Sequence, residues 1–227
     1  MSNTDCFGNL NADDPRKFRV SVVGHSYIRH LKNFSRDFPS NTNFSSIAPV
    51  SNNRPNWLDL DNCVVSWHSL PGSNVSRLAT DQFIYDELHN FRPNMIFLQI
   101  GSNDLDDQYS EPFKVAYQIT ELADNMIHSL ALSKVFIGKL IKRNKTRSVS
   151  VTSYNDAVFR TNGYLQNFCD PYYSPDSSSF WIHRGLTNSC ENVYFHDKVH
   201  MNDLGNLKLY RSIRAAVKTV MPLLHHI

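Results

Sequence analysis

The stretch Phe18-Arg19-Val20-Ser21-Val22-Val23-Gly24-His25-Ser26 is the key to the chain. Four of its first six residues, Phe18, Val20, Val22 and Val23, are apolar and three of these are β-branched, close to the pattern of a strand buried on both faces. The run stops at a glycine and passes through His25 and Ser26 into Tyr27-Ile28-Arg29-His30-Leu31, which reads as a helix start. A buried strand feeding straight into a helix is the opening half of a parallel crossover.

Working outward, similar runs recur at intervals too long for hairpins: Cys63-Val64-Val65-Ser66-Trp67, Met95-Ile96-Phe97-Leu98-Gln99-Ile100, Lys134-Val135-Phe136-Ile137-Gly138 and Asn192-Val193-Tyr194-Phe195. Between them apolar residues take helical spacing, as in Val115, Ile119, Leu122, Met126 and Leu130, and again in Leu204, Leu207, Tyr210, Val217, Val220 and Leu224. A third helical stretch is predicted from Val75 to Phe91, with Leu78, Phe83 and Leu88 on its apolar side. Strands alternating with helices predict an α/β fold, a parallel sheet of about five strands covered on both faces. Functional groups then gather outside the carboxyl ends of the strands. Two segments resist the pattern. Phe38 to Asp61 reads as a long loop with a short helical turn. Cys169 to Ser189 reads as an irregular loop whose Tyr172, Tyr173, Phe180 and Trp181 either plug onto the core or serve a site.

The 227 residues suit one domain, expected over 17–227 behind a polar tail at 1–16. The 23 basic and 21 acidic side chains leave a formal charge of +2, which argues against a protein that lives mainly on phosphate contacts. No apolar run is long enough to span a membrane, and the polar start lacks the apolar centre of a signal sequence, so a cytoplasmic location is expected. Cys6, Cys63, Cys169 and Cys190 are too scattered for a disulfide scaffold and contain no CxxC pair.

The strand ends carry the chemistry. Ser26 falls at a strand-to-helix turn, where free backbone N–H groups can stabilise a developing oxyanion, although serine is equally a common helix cap. Gly72 in Leu70-Pro71-Gly72-Ser73-Asn74 can bring a bare N–H close to a ligand, or simply make a turn. Asn103 in Gly101-Ser102-Asn103-Asp104 offers an amide donor at the same edge, or an Asx-turn. Asp197 and His200 in His196-Asp197-Lys198-Val199-His200 are close enough for the carboxylate to orient the imidazole, leaving it free to accept a proton from a hydroxyl. Each signal is weak alone; their order along one sheet is not.

Taken in order, Gly24-His25-Ser26, Gly72, Gly101-Ser102-Asn103-Asp104 and Asp197-Lys198-Val199-His200 resemble the four motif blocks of the SGNH (GDSL-like) hydrolases, spanning residues 24–200. The resemblance implies a three-layer α/β/α sandwich of flavodoxin-like strand order, needing neither metal nor organic cofactor. It implies Ser26 as nucleophile, His200 as general base and Asp197 as the residue that orients it. The Ser26 N–H, the Gly72 N–H and the Asn103 amide would form the oxyanion hole. The reaction implied is hydrolysis of short-acyl or acetyl esters through an acyl-enzyme, with acyl lipid or acetylated carbohydrate as the substrate class. Activity is expected to fall below roughly pH 6 to 7 as His200 protonates. One position departs from the family, which usually has Asp before the nucleophile; here it is His25, expected either to hydrogen-bond locally or to line the substrate entrance. The Gly-His-Ser variant is similar to that of esterase-like modules carried by retrotransposons.

Three other readings compete. His183, His196 and His200 could hold zinc, but no Glu is placed as in H-E-x-x-H and the triad explains His200 better. Lys139, Lys142, Arg143, Lys145 and Arg147 place five cations over nine positions, either a solvated loop or a patch for nucleic acid or an anionic membrane surface. A catalytically silent module binding acyl lipid or carbohydrate in the same cleft is the third. A homodimer is compatible with the sequence, which specifies no interface.

Overall fold

The computed structural model describes residues 17–37, 58, 60, 62–169, 178–186 and 191–221. Five strands form one sheet: β1 (Phe18–Gly24), β2 (Cys63–Ser69), β3 (Met95–Gln99), β4 (Lys134–Gly138) and β5 (Ser179–Trp181). They lie in the order β2-β1-β3-β4-β5, and every neighbouring pair is parallel. Among the described residues six α-helices accompany them: α1 (Ser26–Asp37), α2 (Val75–Ala79), α3 (Gln82–Phe91), α4 (Pro112–Leu130), α5 (Val151–Phe168) and α6 (Asp203–Val220). This is the α/β sandwich with flavodoxin-like order that the sequence leads one to expect.

The strands' near-continuous apolarity is explained by two cores. Alternate side chains such as Val20, Val22, Met95, Phe97 and Phe136 pack under α1 and α6, beside Leu31, Leu209 and Ile213. Their neighbours Val23, Ile96, Leu98, Val135 and Ile137 pack on the opposite face, against Leu78, Leu88, Ile119 and Leu165 of α2 to α5. Each such side chain, fully buried, contributes roughly 1.5–3 kcal/mol. Because β1 sits between β2 and β3, the chain leaves it towards opposite sides, and a crevice opens at its carboxyl end. Gly24 closes β1 tightly there: a Cβ would collide with the Gln99 carbonyl oxygen of β3.

The sequence reading needs correction in three places. Asn192–Phe195, expected as the fifth strand, instead forms a 3-10 turn over Glu191–Val193 followed by an isolated antiparallel bridge between Tyr194 and Met201. The fifth strand lies in the segment expected to be an irregular loop. It is a half-buried, three-residue edge strand, which needs no continuous apolar run. The helix expected from Val75 to Phe91 is divided in two, because Asp81 caps α3 by accepting from the Ile84 N–H at 3.0 Å. The tail at 1–16, most of the loop from 38 to 61, and Tyr172 and Tyr173 lie outside the described residues. Among the described residues no helix is long and apolar enough to cross a membrane.

Candidate active site

Ser26 is the first residue of α1, directly beyond the end of β1. Its N–H therefore belongs to the helix's opening turn and has no acceptor within the helix. The hydroxyl lies 3.2 Å from Nε2 of His200, across 174 residues of chain. His200 Nδ1 lies 2.7 Å from Asp197 Oδ2. The other Asp197 oxygen, Oδ1, accepts from the N–H groups of Val199 and His200, each at 2.9 Å. This tight turn has Lys198 in the left-handed region at φ 58°. It is clamped at its ends by the Phe195 N–H donating to His200 O at 2.8 Å and by the Tyr194–Met201 bridge. Partial burial works against the Asp197 carboxylate, but hydrogen bonds from the His200 ring and from the Val199 and His200 backbone outweigh it. They hold its pKa down at about 2. The His30 ring stacks on His200, with centroids 4.5 Å apart.

Facing Ser26 are two loops from the neighbouring strands. After β2, Gly72 adopts φ +74°, a conformation that strains any residue with a side chain, and the space where a Cβ would stand is open. After β3, the Asn103 amide donates from Nδ2 to Ser73 O at 2.8 Å, so the two loops are tied together. Asp104 adds a second tie, accepting from the Val75 N–H at 3.0 Å where α2 begins. The pair Asn103-Asp104 thus sets the position of the Gly72 turn as well as its own.

The orientation of Asn103 is fixed by a residue the sequence reading does not place here. Arg143 Nη2 donates to Asn103 Oδ1 at 3.0 Å. Since a guanidinium only donates, the amide oxygen must face Arg143. Nδ2 then faces Ser73, with its second hydrogen left over. The sequence puts Arg143 within a cationic stretch that reads as solvated; its side chain is only 2% exposed. It also donates to the Tyr27 hydroxyl at 3.3 Å, reaches Asp106 at 3.5 Å, and lies over the rings of Tyr27 and Tyr154. Burial opposes its charge, but the Tyr27, Tyr154 and Asp106 oxygens around it outweigh that, and its pKa is raised. Asp106 is itself locked in place, accepting from the Arg147 and Ser148 N–H groups at 3.0 and 3.1 Å. Lys142, Lys145 and Arg147 are exposed and Lys139 is half-buried, so the run divides into one buried cation and several that reach solvent, an exposure compatible with either reading of the run.

The two expectations for His25 separate cleanly. The ring is fully buried and does not line the cleft; Nδ1 accepts from the Tyr27 N–H at 3.4 Å. Burial first, then the charges of Arg143 and His200, lower its pKa to about 3, so it is a neutral imidazole. With Nδ1 accepting, the proton sits on Nε2, which has no hydrogen-bond partner among the described residues. His183, weighed as a metal ligand, is buried between Gln99 Oε1 and Ser212 Oγ, each 2.9 Å away. Among the described residues no group of three His, Cys, Asp or Glu side chains could hold a metal ion.

Ser26, Gly72, Asn103, Asp197 and His200 all line one open cleft of about 400 Å³. A hydroxyl, an imidazole, a carboxylate and a set of N–H donors gathered at one sheet edge are the groups that acyl transfer needs.

The sequence profile of the family described as GDSL-like Lipase/Acylhydrolase matches residues 2–213. None of the curated proteins searched matches the chain significantly in sequence. Solved structures resemble it in fold. A GDSL-like lipase from Bacteroides thetaiotaomicron superposes with a TM-score of 0.63 at 13% identity, covering 89% of this chain and 88% of its own. A mutant acetyl esterase with an acetate ion gives 0.60 at 14% identity, covering 91% and 99%. A carbohydrate esterase family 3 protein from Talaromyces cellulolyticus gives 0.56 at 17%, covering 92% and 99%. At these identities the likeness speaks for the fold alone.

Proposed function

Because this chain belongs to the GDSL-like lipase/acylhydrolase family of ester-hydrolysing enzymes, we propose that it hydrolyses short-acyl or acetyl esters, with Ser26 as nucleophile, His200 as base and Asp197 as its orienting carboxylate. One observation carries this reading: His200 touches Ser26 Oγ with one ring nitrogen, at 3.2 Å, and Asp197 with the other, at 2.7 Å. The short Asp197 contact fixes the tautomer, with the proton on Nδ1 and the lone pair of Nε2 towards Ser26.

In the proposed reaction Nε2 takes the Ser26 proton as Oγ attacks the ester carbonyl. The tetrahedral oxyanion is received by the Ser26 N–H, the Gly72 N–H and the remaining Asn103 Nδ2 hydrogen. The protonated His200 then gives its proton to the departing alcohol. Water, deprotonated by the same nitrogen, attacks the acyl-serine and releases the acid. A short acyl group suits the cleft, where Pro71 and Val199 are the apolar side chains among the described lining residues. The names of the structural neighbours, acetyl esterase and carbohydrate esterase, point the same way.

The test is hydrolysis of p-nitrophenyl acetate, butyrate and octanoate by the wild type and Ser26→Ala, with folding checked by circular dichroism. Turnover lost in Ser26→Ala, and greatest on acetate or butyrate, is the expected result. Equal background rates in both proteins would sink the esterase reading and leave a silent binding module. A preference for octanoate would sink the short-acyl assignment.

A further inference from the structure

The cleft over Ser26 has an unbalanced charge. Its carboxylates are both committed, Asp197 to His200 and Asp106 to Arg143 and the Arg147 and Ser148 N–H groups. Not all of its cations are. Arg143 is committed, buried in holding Asn103 and Asp106, but the Arg147 guanidinium, 73% exposed, lies a loose 3.8 Å from Asp106. Arg29 and Lys145 line the cleft, are exposed, and have no carboxylate within ion-pair distance among the described residues. Arg29 stands three residues beyond Ser26 on α1, a spacing that puts both on one side of the helix. Lys145 and Arg147 come from the loop after β4, a separate element of the same cleft. Positive charge therefore reaches the nucleophile from two elements.

We infer that the substrate is an ester carrying a fixed negative charge, a phosphate, sulfate or carboxylate, close to the scissile bond, received by Arg29 and Lys145 with Arg147. This rests on the esterase reading above and deepens it. A neutral long acyl chain would need a wall of apolar side chains, and among the described lining residues Pro71 and Val199 alone are apolar. A nucleic-acid strand would need cations strung along a surface, whereas these converge on a cleft of about 400 Å³. Cations lining a cleft focus the field and raise the capture of an oppositely charged substrate, here by roughly 10- to 100-fold at low ionic strength, and salt removes the advantage.

Serine-dependent hydrolysis of neutral p-nitrophenyl acetate is read first. Two anionic esters follow. para-Acetoxybenzenesulfonate puts the charge on the alcohol side, and mono-p-nitrophenyl adipate puts it on the acyl side, with p-nitrophenyl acetate and hexanoate as neutral partners. Each kcat/KM is divided by the spontaneous rate. The expected result is a preference of roughly tenfold or more for at least one anionic ester, shrinking as salt is added. The double variant Arg29→Gln/Lys145→Gln should bring the anionic-to-neutral ratio close to one. Which ester is preferred tells on which side of the scissile bond the charge binds. Serine-dependent turnover with no preference for charge, or a preference the double variant leaves intact, would overturn this inference while leaving the esterase reading standing. Absence of serine-dependent turnover on every ester would remove the esterase reading and this inference with it.

Discussion

Asn103 is gripped at both ends of its amide, and the oxyanion-donor role proposed for it depends on that grip. Ser73 O takes one Nδ2 hydrogen and Arg143 holds Oδ1, so the other hydrogen is presented without freedom to turn away. Loss of one oxyanion donor typically costs about 10²–10³ in turnover, so Asn103→Ala should lose that much kcat and remain folded by circular dichroism. Arg143→Lys keeps the charge but not the planar fork that reaches several oxygens at once. We expect kcat to fall roughly tenfold or more with KM little changed, because the lysine leaves Asn103 free to rotate. A fall in both parameters together would instead indicate a general loss of structure. Asp197, held at about 2, stays ionised throughout the working range, so its own protonation does not account for a loss of turnover on acidification. A rate that stays flat down to about pH 4 would exclude His200 as the base. Ser26, Gly72, Asn103, Asp197 and His200 can be picked out in the sequence because each lies in a short motif at the end of an apolar run. Arg143 cannot. It looks like its charged neighbours, and its place comes from partners 116, 37 and 40 residues away.

Two aspartates show how the same local bond can serve different ends. Asp81 caps α3 from within its own segment, through the Ile84 N–H. Asp104 accepts the Val75 N–H at the start of α2 from a loop 29 residues further on. Replacing either with Ala should cost on the order of 1 kcal/mol, read as a lower urea midpoint. Only Asp104→Ala should also lower kcat, because its loop carries Asn103 and steadies the Gly72 turn; Asp81→Ala should keep full turnover. Equal kcat in both variants would show that the β3 loop needs no tie to α2. Among the elements, β1 to β4, α4 and α6 are legible because their apolar periods are clean. α5 is not. It buries Thr161 and Asn162 on its inner face and carries Gly163, which together blur its period. Asn162 is there to bond both the N–H and the carbonyl of Leu140, a reason that exists only once β4 is beside it. β5 escapes a sequence reading because an edge strand is half-exposed and short.

Across the whole molecule, buried neutral histidines set the response to acid. Burial lowers the pKa of both His25 and His183 to about 3, with Arg143 and His200 adding to it for His25 and Lys139 for His183. Burial also lowers His68, even beside Glu87. A group that binds its proton more readily when unfolded favours unfolding as protons become available. Stability should therefore be full above about pH 6.5 and fall steadily towards pH 3, by up to about 1.4 kcal/mol per pH unit for each such histidine. Thermal melts across that range should show the fall, and His183→Gln should make it shallower. A Tm unchanged from pH 7 to about 4 would mean these rings take up protons without unfolding. Because the same range covers the expected loss of activity, the melts also separate a protonated base from a collapsing fold. At this scale alternation of strands and helices makes the parallel sheet legible, while the strand order comes only from the resemblance to the SGNH hydrolases.

The Ser26–His200 contact closes across 174 residues, and the helices that flank it, α1 and α6, pack on each other. A chain emerging from a ribosome presents Ser26 well before the 194–201 turn. Until that turn and α6 have been made, the proposed nucleophile has no base beside it, and α1 has no α6 to cover its apolar face. Chemical competence and completion of that core thus arrive in one step, so a chain stalled or cut before His200 would be inert towards esters and open to quality-control proteases.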